Sequence, residues 1–215
     1  FDRGYEDPVH SIRRQSEGVY AMLHFLAYER ENGRRHPEWE QKMKNMLDIL
    51  LQLQHEDGSF PRKFHDDFTI VDNSGGSTPS ATLPLIMGYK YFKDKRYLAS
   101  AKRTADYLEK VLISKADYFS STLDANCEDK EASLYAATAT YYLSLITKGD
   151  EHRHYADLTR KAAYFALSWY YVWDVPFAQG QMLGDIGLKT RGWGNVSVEN
   201  NHIDVFVFEF ASVLQ

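Results

Sequence analysis

A chain of 215 residues and 24.9 kDa with 44% hydrophobic residues has room for one core-bearing domain, two at most. Fourteen per cent aromatics with only six prolines exclude disorder, and a single cysteine, Cys127, excludes a disulfide scaffold. No apolar run reaches the roughly 20 residues of a membrane span, and a formal charge of −5 with a pI near 5.9 excludes the basic excess of a duplex nucleic-acid binder. The first helix is predicted over Pro8 to Glu31, with Val19, Met22, Leu23 and Leu26 at helical spacing. The second opens at Pro37, a favoured first-turn residue, and the third at Thr78-Pro79. The fourth follows Asp94 as its cap. The fifth starts near Asn126 and is stopped by Gly149, and the sixth starts after Asp150. The seventh begins near Asn201 and continues through Leu214, although Asp204 to Phe210 is rich in β-formers and competes as a strand.

The connections alternate in length. Short links follow helices one, three and five. Long links, Glu56–Ser77, Ser114–Ala125 and Trp173–Asn200, follow helices two, four and six. Short links make neighbouring helices antiparallel, so three hairpins in series put all three long links at one end. Long links in a compact domain usually carry function. Helices three, five and seven, each following a long link, are expected to be the inner ones. The expected architecture is all-α: one domain over residues 1–215, with about seven helices in antiparallel hairpins.

The stretch Gln54-His55-Glu56-Asp57-Gly58-Ser59-Phe60 is the first recognisable motif. Asp57-Gly58 is a turn pair, Phe60 can fold back onto the second helix, and the glutamines can bond loop carbonyls. It is similar to a turn that recurs in α/α toroid proteins: six-hairpin glycosidases, polysaccharide lyases, terpene cyclases and protein prenyltransferase β subunits. With Leu123 to Ala132, Trp173, Arg191-Gly192-Trp193-Gly194 and Asn201-His202, the chain resembles the six-hairpin glycosidase superfamily. That resemblance implies an α/α toroid, a glycoside hydrolase activity, an oligo- or polysaccharide partner and an extracytoplasmic setting. A closed ring needs twelve helices. Seven therefore imply an incomplete toroid, completed by a missing C-terminal segment of the same protein, and a chain beginning at Phe1 rather than Met reads as processed or excised.

Glycoside hydrolysis needs two carboxyls flanking one bond, one protonated and one ionised. The acids near the long links are Asp66, Asp67, Asp72, Asp124, Glu128, Asp129, Glu131, Asp185, Glu199 and Asp204. Asp124 leads as acid or base, its structural alternative being an Asx turn before the fifth helix. Glu128 and Asp129 are the next catalytic candidates, although a first helical turn favours negative charge for its own sake. Asp66 joins them. Asp67 stands beside it, and the two carboxylates can raise one another's pKa or simply form a solvated pair. Trp173 and Trp193 offer faces for sugar stacking, Arg191 a clamp for a uronate, and His202 a hydroxyl ligand. Tyr118 and Asp67 complete the substrate-binding set, Tyr118 with packing as its alternative.

No cofactor motif appears, and no metal is expected. Asp124, Cys127 and His202 resemble the zinc ligands of prenyltransferase β subunits, but Asp-x-x-Cys departs from that family's Asp-x-Cys. Rival readings are a polysaccharide lyase using a Tyr or His base, a zinc-dependent toroid, and a non-catalytic carbohydrate-binding helical domain.

Overall fold

The computed structural model describes residues 9–74, 77–119, 127–198 and 210–215, together with the backbone of 203–204. Among the described residues six long helices form three antiparallel hairpins: α1 (Ile12–Glu31) with α2 (Pro37–Leu53), α3 (Thr78–Phe92) with α4 (Lys95–Tyr107), and α5 (Lys130–Ile146) with α6 (Gly149–Leu167). Two short helices, α7 (Met182–Asp185) and α8 (Phe210–Leu214), come later in the chain. α3 packs against α1, α4 and α5, and α5 against α3 and α6. The expected inner position of the third and fifth helices is therefore observed. Their composition suits it: α3 is buried from Thr78 to Gly88, and α5 from Ala132 to Thr140. A helix apolar or small all round belongs inside, whereas α2, α4 and α6 keep charged outer faces.

Several starts are where the sequence puts them. Pro37 opens α2, Pro79 lies in the first turn of α3, and the Asp94 carboxylate accepts the Arg96 N–H at 2.9 Å. α4 then widens into a π-helical stretch, Leu108–Ile113, in which Ser114 N–H reaches back five residues to Glu109.

Three expectations are corrected. α5 starts at Lys130, not near Asn126, because residues 128 and 129 are taken into bridges with Phe119 and Ser197. Gly149 does not stop α5. The link is Thr147-Lys148, both extended, and Gly149 opens α6 at φ +62°. The seventh helix does not run unbroken from Asn201: Ile203–Asp204 is a strand, and among the described residues the helix covers Phe210–Leu214.

The motif around Gly58 fastens three elements. Gln54 Nε2 donates to the Gly58 carbonyl at 3.2 Å, the Ser100 carbonyl at 3.1 Å and Thr104 Oγ1 at 2.9 Å, tying α2 to α4. Phe60 is wholly buried, and its N–H donates to Thr78 Oγ1 at 2.9 Å. Gly58 has φ +91°, and a Cβ there would lie 2.1 Å from the Arg103 carbonyl oxygen.

The long connectors build small sheets the sequence did not announce. β1 (His10–Ser11), β2 (Lys63–Phe64) and β3 (Ile70–Asp72) form an antiparallel sheet in that order, joining the first connector to the start of α1. β4 (Gly194–Asn195) pairs with β5 (Ile203–Asp204). The described parts of all three connectors lie at the end where α1, α3 and α5 begin, as the hairpin order predicts. No helix among the described residues is long and apolar enough to cross a membrane.

Candidate functional site

Residues 128 and 129 are where the second and third connectors meet. Phe119 bridges Glu128 on one side, and Ser197 bridges Asp129 on the other. Val198 N–H donates to the Glu128 carbonyl at 3.2 Å, Asp129 N–H to the Tyr118 carbonyl at 3.0 Å, and Lys130 N–H to the Val196 carbonyl at 3.1 Å. This short array supports the acidic turn at the head of inner helix α5.

The two acids have different surroundings. Asp129 is fully buried and accepts the Glu131 N–H at 2.6 Å as the N-cap of α5. Glu128 is half-buried and accepts the Tyr118 N–H at 2.9 Å. Burial pushes its carboxyl up to about 7, and a hydrogen bond shared with Asp117 adds to the rise, while the Tyr118 N–H opposes it. A carboxyl titrating near neutrality can hold a proton for donation yet release it.

Tyr118 is buried, its ring 4.4 Å from that of Phe165, and burial raises its hydroxyl; it is a packing residue in this arrangement. Trp193 is partly buried in the turn at Gly192, which has φ +85°, and its carbonyl accepts the Tyr171 N–H at 2.9 Å. Trp173 is 62% exposed, so it is no core plug. Asp174 organises this connector by accepting the Thr190 and Arg191 N–H groups at 3.0 and 3.1 Å. The Arg191 guanidinium stands outside, 3.9 Å from Asp174.

On the first connector, Asp66 is exposed and pairs with His10 at 2.5 Å. Asp67 accepts the Thr69 N–H at 2.9 Å, and that bond lowers its pKa. The possibility that Asp66 and Asp67 raise one another's pKa is thus corrected for Asp67, which moves the other way. Asp124, Glu199 and His202 lie outside the described residues, as does the side chain of Asp204. Cys127 is a half-buried free thiol.

The sequence reading overlooked a charged cluster at the same end. Arg13 and Glu17 of α1 meet Glu131 and Tyr135 of α5. Arg13 Nε donates to Glu17 at 3.0 Å, and its guanidinium pairs with Glu131 and lies 5.7 Å from the Tyr135 ring centre. The Tyr135 hydroxyl donates to Glu17. Burial raises the Glu131 carboxyl. The available clue was a pair of i,i+4 spacings, Arg13 with Glu17 and Glu131 with Tyr135, in the opening turns of α1 and α5.

No protein-family model matches the sequence. Among solved structures, the fold matches an unsaturated glucuronyl hydrolase from Bacillus sp. GL1 described as responsible for glycosaminoglycan degradation. The TM-score is 0.65 at 12% identity, over 96% of this chain and 57% of that one. It also matches an unsaturated glucuronyl hydrolase specific for heparin (TM-score 0.58, 17% identity, 78% of this chain and 48% of that one). A third match is a cellobiose 2-epimerase from Spirochaeta thermophila (TM-score 0.60, 13% identity, 75% of this chain and 44% of that one). The chain spans about half the length of these solved structures. Helical hairpins in series, connectors gathered at one end and these likenesses give the chain an α/α-toroid fold.

Proposed function

We propose that the protein processes carbohydrate by hydrolysing glycosidic bonds at the connector end of the toroid. The observation that carries the reading is Glu128. It stands at the head of an inner helix, where two connectors meet, with burial lifting its carboxyl to about 7. In this reading Glu128 protonates the leaving glycosidic oxygen, and an ionised carboxylate, Asp124 or Asp66, directs water at the anomeric carbon. Asp129 fixes the turn from which Glu128 projects. Trp193 and Trp173 stack sugar rings, His202 and Asp67 take hydroxyls, and Arg191 faces a uronate carboxylate. The solved structures sharing this fold include hydrolases named for glucuronyl substrates, which supports a uronate-bearing oligosaccharide as the first substrate to try. A segment beyond this chain belongs to the same reading as the source of the remaining hairpins.

The test offers the protein glucuronide-terminated oligosaccharides and follows products by mass and by new reducing ends. Hydrolysis adds one water across the products; an epimer of unchanged mass or an unsaturated product without added water defeats the hydrolase reading. Glu128→Gln is expected to lower kcat by about 10²–10⁴ with little change in sugar binding. A general acid is active when protonated, so wild-type turnover should fall as pH rises through about 7, and the residual activity of Glu128→Gln should lack that limb. Unchanged kcat in Glu128→Gln removes Glu128 from the mechanism.

A further inference from the structure

The charged cluster between α1 and α5 takes no part in the reaction described above, yet charge held this far from water is costly to keep. The Arg13 and Glu131 side chains are only 17 and 14% exposed. Their contacts follow two stripes, residues 13, 17 and 20 along α1 and residues 131, 135 and 142 along α5. Arg13 pairs with Glu131, the Tyr135 hydroxyl donates to Glu17, and the Tyr20 hydroxyl donates to that of Tyr142 at 3.3 Å. That order is the order of two helices running the same way, and α3 packs against both. The ion pair stands at the connector end of the contact, and tyrosine hydroxyls continue it inward.

Both partners of the pair lead to an acid. Glu131 is the second residue of α5, and its N–H is held by Asp129, the neighbour of Glu128, at 2.6 Å. Holding the Glu131 carboxylate therefore holds the turn from which Glu128 projects. Arg13 is the second residue of α1. Just before that helix, in β1, His10 meets Asp66 through Nε2 at 2.5 Å and the Gln15 amide through Nδ1 at 3.3 Å, with its ring 5.3 Å from that of Phe64. Asp66 itself stays 79% exposed, open to water and substrate. The Ile12 N–H donates to the Arg62 carbonyl at 3.1 Å and ties the same stretch to the first connector. Residues 10–13 thus hold a first-connector acid at one end and the head of α5 at the other. Stability alone is a poor reason for such a pair, because apolar side chains of similar size often serve a buried position as well or better.

We propose that residues 10–13 form a spacer that sets the gap between Asp66 and Glu128, with His10 and Arg13 as its positioning residues. The inference rests on the hydrolase reading, in which that gap decides whether a water or the carboxylate itself attacks the anomeric carbon.

The test combines two changes. Arg13→Met with Glu131→Leu replaces the ion pair by apolar side chains, and His10→Phe keeps the packing on Phe64 but releases Asp66. Each is expected to lower kcat on a hydrolysed oligosaccharide by about 10–100-fold and to move KM by less than about threefold. Together they should cost little more than either alone, because one gap can be lost only once, whereas unconnected sites would multiply their losses. The paired replacement should melt within about 4 °C of the wild type. Should it melt far lower, Arg13→Lys, which keeps the charge and loses the fork, takes its place in the same comparison with His10→Phe. Unchanged kcat in either arm, or losses that multiply, overturns the spacer. Asp66→Asn and Glu128→Gln are assayed beside them. If these two lose turnover while the His10 and Arg13 variants keep it, the spacer alone falls. If Asp66→Asn keeps turnover and Glu128→Gln loses it, the spacer falls and the hydrolase reading passes to Asp124. A wild type that hydrolyses no oligosaccharide, or full turnover in both acid variants, defeats the hydrolase reading and the spacer with it.

Discussion

Gly58 and Glu128 show how far single residues can be argued from the chain itself. The Asp-Gly pair announces a turn, and Gly58 takes the left-handed φ that turn requires. What the sequence leaves unsaid is the closeness of Arg103, whose carbonyl leaves no room for a Cβ. Gly58→Ala is therefore expected to cost about 2–4 kcal/mol, from backbone strain plus the clash. Urea denaturation measures it, and a loss below about 1 kcal/mol would mean that α2 and α4 separate more easily than their Gln54 ties suggest. Glu128 was legible as a candidate and not as the leader. Its neutral-range carboxyl comes from burial beneath the second connector and from Asp117, a residue eleven positions away that no helical spacing brings near.

At the scale of elements, the legible parts were those set by local chemistry. Pro79 and Pro37 set φ in the first turns of α3 and α2 and Asp94 caps α4, each acting on adjacent residues, whereas Thr78, read as a cap, lies inside α3 behind Ser77 and takes the Phe60 N–H instead. The illegible parts were set by distant partners. Ile203–Asp204 is a strand because Gly194–Asn195 pairs with it, and α5 starts late because the 118–119 and 196–198 segments claim residues 128 and 129 first. The three-stranded sheet at the start of α1 has only two- and three-residue strands, too short for an alternating pattern to show. Asp129 belongs to both classes, since it caps α5 locally and is bridged from afar. Asp129→Ala is expected to cost about 1–2 kcal/mol and Asp129→Asn, which can still accept the Glu131 N–H, about half of that or less. Thermal or urea unfolding of both variants decides it, and equal losses would assign the cost to charge and not to capping.

For the whole molecule, the order of hairpins was the strongest sequence inference, because link length fixes helix direction whatever the tertiary partners do. The same order predicts unequal local stability. α3 and α5 are enclosed by neighbours, while 174–191 carries its turns on few buried side chains. Hydrogen exchange followed by mass spectrometry should give the slowest amides in α3 and α5 and the fastest, by several orders of magnitude, in 174–191. Comparable protection in the two regions would contradict the inner-helix assignment. The crossing at residues 128 and 129 also has a mechanical meaning. Lys130 and Glu128 each hold the backbone of the segment that follows Trp193. In the proposed reading, a ligand stacked on that indole would pull on the peptide planes from which Glu128 is suspended, and affinity and proton donation would share one lever. Substitutions in residues 195–198 should then alter both together.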